Sequence, residues 1–190
     1  MINVETLKGT SFSDEFWKPM RTSYPALNSF FSQESGIPRG TASMVYGDPG
    51  VGKSTVTMTI LNDLREQGFN TLFVSAEMRR TDVAYMTKRM PELASLPIWY
   101  VDYSVENIIE SFEQAIRDGA YDLVVIDSWA SFVEIAYELT SMTKKALESR
   151  LMSMLQDTTE GIRTSDGNMA YPTFFLIQQV TKSGDFAGSK

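Results

Sequence analysis

The residues with the clearest chemical capacity are Gly47-Asp48-Pro49-Gly50-Val51-Gly52-Lys53-Ser54, followed by Thr55. The octet fits G-x-x-x-x-G-K-[ST] at every fixed position, and those residue types suit one task, the cradling of a phosphate chain. Glycines let the backbone curl until several N–H groups point inward, and a helix beginning at the end of the loop adds partial positive charge there. In such a loop Lys53 neutralises the terminal phosphates and the Ser54 hydroxyl ligates Mg2+. The bland alternative is a Gly-rich turn with an exposed lysine. A strand-like run before the loop and a helix-like run after it favour the phosphate reading.

Composition narrows what else can take part. The 190 residues include no His and no Cys, which excludes imidazole or thiolate metal cages, disulfides, thiol nucleophiles and histidine triads. Carboxylates and amides remain. Asp127 ends the apolar run DLVVID, where a carboxylate beside a phosphate loop holds Mg2+. Glu77 lies just beyond the run TLFVS and would emerge at the same edge, placed to deprotonate an attacking water. Gln179 ends the run TFFLIQQ, where an amide could touch a γ-phosphate. Each has a plain reading beside the chemical one: Asp often caps the turn after a strand, a surface Glu after a strand is common, and Gln often marks the exit of a buried one.

These residues need elements to position them, and the chain alternates between two periodicities. Thr41 to Tyr46 predicts a strand, and Ser54 to Gln67 a helix with Met58, Ile60, Leu61 and Leu64 available for burial, ended by Gly68. Thr71 to Ser75 predicts a strand, Thr81 to Arg89 a helix stopped near Pro91, and Pro97 to Val101 a short strand. Val105 to Asp118 predicts a helix with Ile108, Ile109, Phe112 and Ile116 on one side. Asp122 to Asp127 reads as a central buried strand, Lys144 to Leu155 as a helix and Thr173 to Gln179 as the last strand. This order predicts an α/β fold of three layers around a mainly parallel sheet. Residues 1–40 form a lead-in, and 41–190 a single domain.

Net charge is −7, which speaks against a broadly basic nucleic-acid surface. The excess is local: residues 81–127 hold three basic and nine acidic groups, whereas 1–40 and 41–80 each balance. A solvated helix face accounts for most of it. No stretch has signal-peptide form or the length to span a membrane, so the expectation is a soluble cytoplasmic protein with no membrane partner.

Taken together, GIPRGTASMVYGDPGVGKST, VSAEM, YDLVVIDS and IQQVTKSGDFAG resemble, in order and spacing, the RecA-like P-loop ATPase core shared by RecA and RadA recombinases, KaiC-type proteins and DnaB-type helicases. The resemblance runs from about Ser23 to Lys190. VTKSGDFAG leans toward RadA and KaiC, SAEM and LPIWYVD toward DnaB, and the overall pattern is nearest to RadA-like proteins. It implies that Lys53 and Ser54 bind ATP and Mg2+, that Asp127 is the Walker B acid, that Glu77 is the catalytic glutamate and that Gln179 is the sensor leading into a DNA-facing loop, Val180 to Lys190. A second DNA-facing loop is implied within Trp129 to Thr143, where Trp129, Phe132 and Tyr137 could stack on bases, with core packing favoured for Phe132. Tyr85 and Arg89 stand near the position of an adenine-contacting Arg in RadA-like proteins.

The resemblance further implies self-assembly into a ring or filament, single-stranded DNA as a partner, and work in recombination, repair or replication. A KaiC-like regulator, whose nucleotide state sets oligomerisation and protein partners, is the alternative. Without Cys no RadA-type zinc finger is expected, nor a DnaB-type N-terminal helical domain, and the core is expected to stop short of its usual last strand and trans-acting basic residues.

Overall fold

The computed structural model describes residues 12–33, 36–164 and 167–179. In chain order the elements are α1 (Pro25–Phe31), β1 (Ala42–Gly47), α2 (Lys53–Glu66), β2 (Thr71–Ser75), α3 (Arg80–Arg89), a 3-10 turn (Pro91–Ser95), β3 (Ile98–Tyr100), α4 (Ile108–Gly119), β4 (Leu123–Asp127), α5 (Trp129–Glu138), α6 (Lys144–Thr159), β5 (Ile162–Arg163), β6 (Met169–Ala170) and β7 (Thr173–Gln179). Five strands make one sheet in the order β1-β7-β4-β2-β3, with every neighbouring pair parallel. Strands β5 and β6 form a separate antiparallel hairpin. Parallel neighbours need crossovers, and the helices supply them on both faces.

The period of two along each strand divides the apolar residues between those faces. Val124 and Ile126 join Leu72, Val74, Phe174 and Leu176 under α4, α5 and α6. Leu123 and Val125 join Phe73, Phe175 and Ile177 under α2 and α3, together with Met20 and Ile37 from the lead-in. Met20 and Ile37 pair through their backbones and are completely buried. The result is the three-layer α/β arrangement expected from the alternation of periods.

The parallel register brings the loop-bearing ends together. Gly47 stands opposite Gln179, and Asp127 stands opposite both Ser75 and Ile177. One edge of the sheet therefore carries the phosphate loop, the turn with Glu77, Asp127 and Gln179. In open parallel sheets ligands bind at this carboxyl edge.

Most predicted elements fall within a few residues of the observed ones. Helix α4 starts at Ile108 rather than Val105, because Asn107 takes a left-handed backbone (φ 50) that a helix cannot propagate. Helix α6 continues to Thr159, beyond the expected Leu155, with Thr158 buried in its last turn. The larger correction concerns Trp129 to Thr143, expected as a loop. Residues Trp129–Glu138 are helix α5, since Trp129, Phe132, Val133 and Ala136 fall at helical spacing and bury one face. Ser128 caps it, its Oγ accepting from the Ser131 N–H. Trp129 is 7% exposed and Phe132 fully buried, so neither is presented for base stacking. Helix α1 and the β5–β6 hairpin were not predicted.

The acidic face of α4 is partly neutralised at the surface, where Glu113 pairs with Arg117 and Glu110 with Arg150. Among the described residues no helix is long and apolar enough to cross a membrane.

Candidate active site

The phosphate loop joins β1 to α2. Gly50 (φ 81) and Gly52 (φ 93) occupy the left-handed region, where a side chain is strained. A Cβ at either would meet no protein atom within 4 Å, so backbone shape rather than crowding demands glycine and the inner side of the loop stays open. Lys53 Nζ donates to the carbonyls of Gly47 and Asp48, at 2.9 Å each, which folds the lysine back over the loop. Helix α2 starts at Lys53, directing the free N–H groups of its first turn toward this pocket.

Asp127 is 3% exposed at the tip of β4, and its Oδ2 has no hydrogen-bond partner among the described residues. Burial pushes its pKa above the ordinary carboxylate value; a hydrogen bond from Ser54 opposes this, the nearby Glu77 charge adds to it and Lys53 opposes it. A buried carboxylate with an open lone pair beside a hydroxyl is a fitting seat for a hard cation. No group of three or more acidic ligands occurs among the described residues. One carboxylate, one hydroxyl and phosphate oxygens are the donor set that Mg2+ takes at nucleotide sites.

Glu77 sits on the turn after β2, and the backbone N–H groups of Ala76 and Glu77 both donate to the Asp127 carbonyl, at 2.7 and 3.2 Å. Across the edge, Gln179 Nε2 donates to Glu77 Oε1 at 2.8 Å. The two residues are 102 positions apart in the chain, and only the strand order brings them together. A cleft of about 520 Å³ gathers the phosphate-loop residues Pro49, Gly50, Gly52, Lys53, Ser54 and Thr55 with Glu77, Asp127 and Gln179. Arg89 also lines it, whereas Tyr85 is 72% exposed and is not among the lining residues. The helical period explains the split: Met86 and Arg89 are three residues apart on the cleft side of α3, and Tyr85 lies one step around. Met78, Met86 and Ile177 complete the lining; Met86 stands near the position where the resemblance places an adenine contact, whereas Met78 and Ile177, apolar residues in a core-forming pattern, carry no separate chemical signal. A second cleft, of about 490 Å³, opens on the far side of the Glu77 turn between β3 and α5. The expected DNA-facing segment Val180 to Lys190 lies outside the described residues.

Fold and site together define a RecA-like P-loop ATPase core: a parallel sheet with the phosphate-loop strand next to β7, and an acid-tipped strand beyond it. Comparison with known sequences agrees. The RecA N-terminal domain pattern matches residues 22–184, and the chain belongs to that family. It is similar to Protein RecA of Synechococcus elongatus, 33% identical over 167 residues, covering 86% of this chain and 45% of the relative. Protein RecA of Fusobacterium nucleatum is 32% identical over 150 residues, 76% of this chain and 37% of that protein. Protein RecA of Bordetella pertussis is 36% identical over 121 residues, 62% and 33% respectively. The chain thus spans between a third and a half of the length of these relatives.

Proposed function

We propose that this protein hydrolyses Mg-ATP and couples the reaction to single-stranded DNA in recombination or repair, assembling with copies of itself in a filament or ring with ATP between neighbours. The observation that carries the reading is the meeting of Lys53, Ser54, Asp127, Glu77 and Gln179 in one cleft. Lys53 leaves the loop carbonyls it now contacts and bonds the β- and γ-phosphate oxygens, while the loop N–H groups bind the remaining ones. Ser54 and Asp127 would hold Mg2+, which when bound would supply positive charge to the phosphates. Glu77 takes a proton from water as the water oxygen bonds to the γ-phosphorus and the bond to the bridging oxygen breaks. ADP and phosphate leave, and the proton passes to solvent. Gln179 reaches Glu77 and the γ-phosphate region from the last residue of β7, so loss of phosphate is felt where the following segment begins.

Membership of the RecA N-terminal domain family supports the ATPase reading, and the set of site residues supports turnover over mere binding. The test is the ATPase rate of purified protein with and without single-stranded DNA, compared with Glu77→Gln. Single-stranded DNA should raise the rate, and Glu77→Gln should lower it about 10²-fold or more while nucleotide still binds. Binding to DNA should weaken steeply with salt. Nucleotide-dependent oligomerisation without turnover or DNA binding would instead favour the regulatory reading, which the acidic segment 81–127 suits.

A further inference from the structure

The catalytic role proposed for Glu77 depends on where its turn is held, and one buried hydroxyl closes that turn. Ser75 is the last residue of β2, 2% exposed and opposite both Asp127 and Tyr100 in the sheet. Its Oγ donates to the Met78 carbonyl at 2.8 Å, spanning Ala76 and Glu77. Its own carbonyl accepts from the Val101 N–H at 2.9 Å, which fixes it to β3. On the other side, Ala76 and Glu77 hang by their N–H groups from the Asp127 carbonyl. The four residues Ser75 to Met78 are thus pinned at both ends and in the middle, and of their side chains Glu77 and Met78 line the cleft, Glu77 alone bringing a charge.

We infer that Ser75 is a positioning residue: its hydroxyl, by closing the turn onto Met78, sets the distance between the Glu77 carboxylate and the metal-holding Asp127. Without that bond the Glu77 backbone keeps its amide anchors and Met78 its packing against the core, but the turn loses the side-chain bond that spans Glu77. The carboxylate then samples orientations away from the attacking water. Misplacement on the scale of an ångström suffices to slow a reaction about 10²-fold. Ser75 is not among the residues lining the phosphate-loop cleft, so nucleotide affinity should not depend on it.

The inference rests on the ATPase reading above, and the experiment keeps the two apart. Steady-state ATPase and fluorescent-nucleotide binding are measured for the wild type, Ser75→Ala, Ser75→Cys, Ser75→Thr, Glu77→Gln and the double variant Ser75→Ala/Glu77→Gln. Expected are a kcat for Ser75→Ala lower by about tenfold or more, nucleotide affinity within about twofold, recovery in Ser75→Thr, and no further loss when Ser75→Ala is added to Glu77→Gln. A wild-type kcat for Ser75→Ala, or an equal further loss in the Glu77→Gln background, would overturn it, the second by showing a general structural effect. If Ser75→Ala does not fold, Ser75→Cys carries the same comparison with a weak donor of similar size, and full activity there overturns the inference. A wild type with no turnover at all sinks the ATPase reading instead.

Discussion

Asp127 is buried with one oxygen unpaired among the described residues, and that arrangement has an electrostatic cost. Its pKa is raised chiefly by burial, so protonation is favoured in the fold relative to the unfolded chain. Such a carboxyl contributes its full stability below the ordinary value of 3.8 and loses it as pH rises through the higher folded value. At neutral pH, without metal, the ionised group therefore weakens the fold. Asp127→Asn should raise the thermal midpoint of the nucleotide-free protein at pH 7 and give a smaller gain at pH 4, at about 2–4 °C per kcal/mol relieved. The same variant should lose the stabilisation that the wild type gains from Mg2+ with nucleotide. Calorimetric scans at the two pH values, with and without Mg-ADP, check both halves, and equal midpoints at pH 7 would refute the electrostatic account. Glu77 and Asp127 were legible as single residues because each follows an apolar run. Their mutual anchoring through the Asp127 carbonyl was not, since backbone hydrogen bonds leave no mark on residue type.

Helix α5 shows how an element can hide behind a functional expectation. Trp129, Phe132, Val133 and Ala136 have the spacing of an amphipathic helix, and Ser128 is a favourable cap. An aromatic-rich segment next to a phosphate site also matches a base-stacking loop, and residue types alone do not separate the two. Packing separates them: Phe132 lies 5.1 Å from Phe112 and 6.0 Å from Trp129, ring centre to ring centre, in the core that covers β4. Phe132→Ala should destabilise the protein by about 3–5 kcal/mol. Tyr137, 39% exposed near the end of the helix, should tolerate Ala within about 0.5 kcal/mol. Urea unfolding of the two variants measures the contrast. A Phe132→Ala protein of normal stability that fails only in DNA binding would restore the stacking role.

At the scale of the whole molecule, the end of the sheet opposite the site is tied by one arginine. Arg39 precedes β1 and is nearly buried, donating to Asp122 before β4, to Glu15 and to the Lys18 carbonyl of the lead-in. Asp122 in turn accepts from the Asn70 N–H before β2 at 2.8 Å. Three strand entrances and the lead-in are thereby joined, and the strands that run from them fix the spacing of Gly47, Ser75 and Asp127 at the far edge. Arg39→Ala leaves Asp122 without its cation, at an expected loss of about 2–4 kcal/mol. Stability should fall while the nucleotide affinity of the folded fraction changes little, as denaturant titration and nucleotide binding at low temperature would show. A loss of affinity with unchanged stability would contradict this division between the two ends.

Sequence alone determined the phosphate loop, the alternation of strands and helices, and the residues able to do chemistry without histidine or cysteine. Those features are local: a loop that needs glycine at positive φ, a helix period and a strand period are each written in consecutive residues. Tertiary structure decided the partnerships. It paired Gln179 with Glu77, hung the Glu77 turn on Asp127, kept Arg89 at the cleft and left Tyr85 outside it, and buried Trp129. Each depends on the strand order β1-β7-β4-β2-β3 and its register, which place residues far apart in the chain within hydrogen-bond reach. No run of neighbouring side chains encodes that order; it is set by the joint burial of both sheet faces.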